Sequence, residues 1–305
     1  MSVALLWFRR DLRLQDNPAL QAALEAGHEV VPVYIHAPHE EGEWVPGAAS
    51  DAWRHRSLAA LDADLRSRGS SLVLRRGDSL ATLQALVEQI GAEAVYWNRK
   101  YEPATQPRDA EIKRTLREQG IDAQSCNGSL LFEPWDIATQ QGQPYKVFTP
   151  YWRNVLSHWR LPALTAASKA LTAHAVDSLA LDELRLSPAL DWDAGFWEHW
   201  QPGEAGAVEA LSVFEDGALR GYREQRDLPD RVGTSRISPH LHFGEIAPWR
   251  IAHALEGLRS AGTDADIDGY LRQLGWRDFA YHLLHHFPKT PTDNLNPRFD
   301  RFPWA

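Results

Sequence analysis

The feature that most constrains this chain is an alternation confined to its first 126 residues, in which short apolar runs are each followed by a longer stretch with helical spacing. Runs at 3–8, 30–35, 71–74, 94–97 and 121–125 read as about five buried strands, and helical periods fill 18–26, 50–68, 79–90 and 106–119. Asp16-Asn17-Pro18 and Asp78 offer helix-starting chemistry, and Gly27, Gly69, Gly91 and Gly120 stand where helices should stop. Strands separated by whole helices predict an α/β fold with a parallel, doubly wound, Rossmann-like sheet. From about residue 205 the strand signal disappears, while 205–222, 245–259 and 264–286 keep helical spacing. Between these regions, Pro134, Pro144, Pro150, Pro162, Pro188 and Pro202 break any long period. Trp135, Tyr151, Trp152, Trp159, Trp192, Trp197 and Trp200 imply that this stretch packs. The expected organisation is an α/β domain over 1–127, a connector over 128–204 and an all-helical region over 205–305.

Composition narrows the function classes. Apolar residues make up 44% and charged residues 24% of the 305, as in ordinary globular proteins. The first apolar run meets Arg9, Arg10, Asp11 and Arg13 at once, so it is too short for a signal sequence or a membrane span. Cys126 is the single cysteine, which excludes an internal disulfide and a multi-cysteine metal site and points to a reducing cytoplasm. A formal net charge of −9 argues against a nonspecific coat on nucleic acid, because such binding comes from neutralising phosphates. Any DNA contact must then be local.

No G-x-G-x-x-G follows the first strand, where Phe8-Arg9-Arg10-Asp11 stands instead, so a dinucleotide on the usual fingerprint is not expected there. The Arg9–Arg13 run reads as ion pairs fixing the edge of the sheet, more than as a phosphate site. Thr234, Ser235, Arg236 and Ser238 set three hydroxyls and a guanidinium beside an expected helix start at Pro239, a cluster suited to a phosphate or pyrophosphate. Ser238 alone also reads as a plain N-cap. Farther on, Gln273, Trp276, Arg277 and Ala280 share one helical face, where an amide, an indole and a guanidinium could stack on and hydrogen-bond a flipped base; packed surface is the blander reading. His282, His285 and His286 have ligand-like spacing, but no carboxylate or cysteine stands near them in sequence, which favours a structural role.

The stretch from Trp7-Phe8-Arg9-Arg10-Asp11-Leu12-Arg13 to Asp16-Asn17, then Tyr145-Lys146-Val147-Phe148-Thr149-Pro150-Tyr151, Arg226-Asp227-Leu228-Pro229, Gly233-Thr234-Ser235-Arg236-Ile237-Ser238 and Trp276-Arg277-Asp278-Phe279 resemble, in order, the signatures of the DNA photolyase and cryptochrome family, in its bacterial deoxyribodipyrimidine photolyase-like form. The resemblance implies an antenna domain, a connector and a helical domain that holds FAD. It implies FAD contacts at Tyr222, Thr234, Ser235, Arg236, Ile237, Ser238, Tyr270, Gln273 and Arg277. It also implies contacts to DNA or its lesion at Arg226, Gln273, Trp276 and Arg277. Trp304 matches the outermost member of a tryptophan chain that passes electrons to the flavin. An antenna chromophore, a methenyltetrahydrofolate or a deazaflavin, is a further implication, although Tyr101-Glu102-Pro103-Ala104-Thr105 lacks the Asn-Glu pair that some members use for a folate. The partner implied is UV-damaged DNA, with no membrane, and a monomer is expected.

The family pattern runs on well past Ala305, so the resemblance implies a C-terminally truncated member that supplies about one side of the flavin pocket, with apolar surface left uncovered. Gln273 stands where cyclobutane-dimer photolyases more often carry a glutamate, which leaves the cyclobutane and (6-4) lesions both open. The activities implied are light-driven splitting of pyrimidine dimers by an electron from reduced FAD, blue-light reception without repair, or, for a fragment, neither.

Overall fold

The computed structural model describes residues 2–303. Five strands, β1 (Val3–Phe8), β2 (Glu29–His36), β3 (Val73–Arg76), β4 (Ala94–Asn98) and β5 (Asp122–Cys126), form one sheet in the order β3-β2-β1-β4-β5. Every pairing is parallel. Each crossover carries a helix: α1 (Pro18–Glu25), α2 (Ala48–Ser67), α3 (Ser79–Ile90) and α4 (Thr105–Glu118). Alternation along β1 divides the core. Leu6 and Phe8 pack with Leu20 of α1 and Leu58, Leu61 and Leu65 of α2, whereas Leu5 and Trp7 pack with Leu83 and Leu86 of α3 and Ile112 and Leu116 of α4. The sheet is therefore wound on both faces, as the alternation predicts.

Local chemistry sets the helix ends. The Asn17 side chain accepts the Leu20 N–H and the Asp78 side chain accepts the Ala81 N–H, each capping the helix that follows. Strand β3 begins two residues later than its apolar run suggests. It is an edge strand, so its pairing with Val33–His36 of β2 runs on through the polar Arg75 and Arg76.

Beyond β5 follow α5 (Phe148–Ser157), α6 (Glu204–Asp216), α7 (Tyr222–Gln225), α8 (Ser238–Phe243), α9 (Pro248–Gly257) and α10 (Asp264–His286). Their core gathers Tyr151, Trp152, Phe214, Trp249, Tyr270, Leu274 and Phe279. The stretch between α5 and α6 holds only short 3-10 turns, yet it is anchored. Leu184 and Leu186 enter the α1–α2 face of the sheet, and the Asp16 carboxylate accepts the Thr165 N–H at 2.7 Å.

The Arg9–Arg13 run is a hub of ion pairs and hydrogen bonds, but not at the sheet's edge, because β1 is the central strand. Arg9 pairs with Asp109, and Arg10 with Glu102 at 2.5 Å. Arg13 is buried and donates to the carbonyls of Asp16 (2.7 Å), Gly128 (2.8 Å) and Gly244 (2.9 Å), joining the sheet to the chain that leaves β5 and to the end of α8. Gly244 ends α8 at φ +65°, and a Cβ there would lie 2.1 Å from the Arg10 carbonyl oxygen, so only glycine permits this approach.

The histidines of α10 are structural. His282 is fully buried; its Nε2 accepts the Tyr145 N–H at 3.0 Å and its Nδ1 donates to the Pro134 carbonyl at 2.9 Å. His286 Nε2 donates to the same carbonyl, and His285 Nδ1 bonds the Gln106 amide oxygen. No helix among the described residues is long and apolar enough to cross a membrane.

Candidate functional site

The segment between α7 and α8 turns sharply at Arg236, whose φ of +54° is left-handed, an unusual and strained conformation for a non-glycine. That turn leaves Thr234 and Arg236 exposed while Ile237 drops into the core. Thr234, Ser235 and Arg236 line an open cavity of about 610 Å³ together with Trp200, Gln225 and His240. The Arg236 guanidinium lies 6.0 Å from the Trp200 ring centroid.

Ser238 does not cap α8. Ile237 occupies the cap position with helical dihedrals, and Ser238 and Pro239 are the first helical residues, with no side-chain cap bond. The extended conformation that a capping serine needs is absent because the chain has already entered the helical region at Ile237.

Behind the Thr234–Arg236 turn, the Ser235 hydroxyl bonds the buried Tyr270 hydroxyl at 2.8 Å. Tyr270 packs on Tyr222 (5.2 Å) and Phe214 (4.7 Å), and burial raises the pKa values of both tyrosine hydroxyls, so they stay protonated donors. Arg226 extends this cluster, with its guanidinium 5.7 Å from the Tyr222 ring. Among the expected contacts, the structure thus brings Tyr222, Arg226, Thr234, Ser235, Arg236 and Tyr270 together.

Gln273 and Trp276 follow on α10, one and two turns beyond Tyr270, so Trp276 stands about 9 Å farther along the axis. Gln273 is half-buried, and Trp276 is 45% exposed and stacked on Phe148 at 3.7 Å with planes 10° apart. Its indole therefore has one covered and one accessible side. Arg277 points elsewhere: its guanidinium donates to the Ser129 carbonyl at 2.6 Å and lies 5.2 Å from the Tyr281 ring. Trp304 falls outside the described residues.

Four residues that sequence reasoning left without a role complete the geometry. Trp200 and His240 line the cavity, and the buried Glu245 behind His240 holds Trp53 of α2. Glu245 stands five residues from His240, a spacing that no helical or strand period flags.

Open α/β sheets bind ligands beyond the carboxyl ends of their strands, where the strand order reverses. Here that crevice is closed by its own side chains. Arg9, Arg10, Arg54, Lys100 and Arg108 line it and pair with Asp109, Glu102, Asp51, Glu41 and Glu40, which leaves a void of about 40 Å³. Burial, with Arg10 alongside, lowers the Lys100 pKa to about 8. The void suits a few waters, and a pteridine or deazaflavin ring does not fit it with these side chains in place.

Residues 4–171, more than half of the chain, match the family described as DNA photolyase. The chain belongs to the DNA photolyase family. It is 43% identical to a deoxyribodipyrimidine photo-lyase of Agrobacterium fabrum over 98% of this chain and 63% of that one, and 34% identical to cryptochrome-2 of Arabidopsis thaliana over 98% of this chain and 51% of that one. The crystal structure of a bacterial class III photolyase from Agrobacterium tumefaciens superposes with a TM-score of 0.93 at 42% identity, covering all of this chain and 63% of the other. The chain spans about 63% of the length of these photolyases. The fold and family inferred from the sequence motifs are those found.

Proposed function

We propose that this chain acts in blue-light-dependent repair of UV-induced pyrimidine dimers in DNA, as a flavoprotein using FAD. The observation that carries this reading is the continuity from the cavity to α10, in which Ser235 and Tyr270 are bonded and the same helix presents Trp276 to solvent. The donor chemistry fits a flavin dinucleotide. Thr234, Ser235 and Arg236 would hold the phosphates and Ser238 the adjoining chain, with Ile237 and Tyr222 as the apolar backing. When bound, reduced FAD supplies the light-excited electron that splits the dimer.

The protein's own part is positioning. Trp276 would stack on a flipped base with its accessible side, Gln273 would hydrogen-bond the base edge, and Arg226 would neutralise a nearby phosphate. Arg277 would act by fixing the Ser129 carbonyl beside α10. Similarity to photolyases at 42–43% identity supports repair, and similarity to a cryptochrome at 34% supports the second reading, a photoreceptor that binds FAD without repairing DNA.

The test is FAD titration followed by blue illumination with DNA carrying defined dimers. Repair predicts flavin binding and monomerised pyrimidines, both reduced by more than tenfold in Arg236→Ala. A photoreceptor predicts bound flavin with dimers left intact.

A further inference from the structure

Trp276 offers one side to solvent because Phe148 of α5 takes the other. The two rings stack at 3.7 Å with planes 10° apart, and Phe279 meets the same indole nearly at right angles at 5.8 Å. Phe148 is buried and lies parallel to Trp152 as well, at 6.1 Å and 11°. One turn before Trp276 on α10, the half-buried Arg272 guanidinium lies 4.8 Å from the Phe148 ring centroid. Among the described residues Arg272 pairs with no carboxylate.

An unsupported, half-exposed indole samples several rotamers, and a base that stacks on it must order it as well, which lowers affinity. Phe148 removes that cost by fixing Trp276 before any nucleic acid arrives. A smaller side chain at 148 would leave space into which the indole can turn, hiding the side that a base needs. The same phenyl ring holds Arg272 by cation–π attraction. A guanidinium with no carboxylate partner keeps its charge and its donors for a phosphate. Positions 272 and 276 are about 6 Å apart along the helix axis, so one extruded nucleotide can meet both side chains.

We propose that Phe148 is a positioning residue for recognition of a flipped nucleotide: it fixes Trp276 for the base and holds Arg272 for the phosphate of the same nucleotide. This rests on the reading of the chain as a protein that repairs pyrimidine dimers.

The test is fluorescence anisotropy, in the dark, with labelled duplexes of one sequence carrying no lesion, a cyclobutane dimer or a (6-4) lesion. The unmodified chain should prefer a damaged duplex. Phe148→Leu should lower affinity for that duplex about tenfold and leave the undamaged one within about twofold, whereas Phe148→Tyr should keep the preference. Arg272→Gln should make the slope of log affinity against log salt shallower by about one. Trp276→Ala should abolish the preference, and adding Phe148→Leu to it should weaken binding no further, because Phe148 acts through Trp276. Equal weakening of both duplexes by Phe148→Leu, additive losses in the double variant, or an unchanged salt slope in Arg272→Gln would overturn this proposal alone. Absence of any preference in the unmodified chain would overturn it together with the repair reading. If Phe148→Leu fails to fold, fluorine resonances of the unmodified chain carrying 5-fluorotryptophan decide the matter. Trp276, assigned with Trp276→Phe, should give one narrow line that shifts with the damaged duplex, and a line broadened by rotamer exchange would overturn the proposal.

Discussion

His282 and Asp278 are four residues apart on α10 and both buried, yet they titrate in opposite senses. Burial, reinforced by His286, lowers the His282 pKa to about 4, and the accepted Tyr145 N–H requires a bare Nε2. The unfolded chain protonates this histidine near 6.5 while the folded chain resists until about 4. Stability from this residue is therefore present above 6.5 and lost as the pH falls through that window, by about 3 kcal/mol in all. Burial raises Asp278 to about 7 even though it accepts the Leu131 and Phe132 N–H groups. Its folded form favours the proton, so stability falls as the pH rises from 3.8 to 7. Between about pH 4 and 6.5 the two slopes oppose each other, so on account of this pair the melting temperature should change little there. Asp278→Asn should expose the His282 slope as a melting temperature that falls when the pH drops below 6.5, and His282→Gln should expose the Asp278 slope as one that falls when the pH rises toward 7. A pH profile left unchanged by both substitutions would show that other groups govern it.

At the level of elements, the contact between α5 and α10 rests on the absence of a side chain. A Cβ on Gly275 would lie 2.4 Å from two ring atoms of Trp152, inside any van der Waals limit. Gly275→Ala would gain up to about 1 kcal/mol of helix propensity, but displacing a buried indole costs about 1–3 kcal/mol. The net expectation is destabilisation, read as a lower denaturant midpoint. Trp152→Leu should restore part of it, and a midpoint unchanged by Gly275→Ala would mean that the helices slide apart freely.

Helix α10 also marks what could be read in advance. Its spacing predicted 264–286 and its bounds are Asp264–His286, with Asp264 and Asp266 in the first turn, His285 and His286 in the last and Pro288 just beyond marking the ends. The strands were as legible, since buried parallel strands are continuous apolar runs; β3 shifted because an edge strand tolerates arginines. The cluster around Thr234 was legible as chemistry through its crowded hydroxyls. Its shape was not, for the positive φ of Arg236 has no sequence signal in a non-glycine. The Glu245–His240–Trp53 contact was invisible, since it depends on how α2 meets α8.

Across the whole molecule, the α/β and helical parts are joined by buried polar ties as well as apolar contact. The Arg13 guanidinium spans Gly128 and Gly244, Arg250 pairs with Asp16 at 2.5 Å, and the Glu204 carboxylate accepts the N–H groups of Leu14 (2.8 Å) and Gln15 (3.0 Å). Neither part can satisfy these groups alone, and a buried donor or acceptor left unpaired costs about 1–3 kcal/mol, more when charged. The chain should therefore unfold in one cooperative step in which near-ultraviolet and far-ultraviolet dichroism change together. Arg13→Met keeps much of the volume but leaves the carbonyls of Asp16, Gly128 and Gly244 without this donor. It should lower stability by about 3 kcal/mol or more and separate the two signals, as the helical part melts before the sheet. Two resolved transitions in the unmodified chain would show that the interface is too weak to couple the parts, and that the cavity between α6 and α8 forms without help from the sheet.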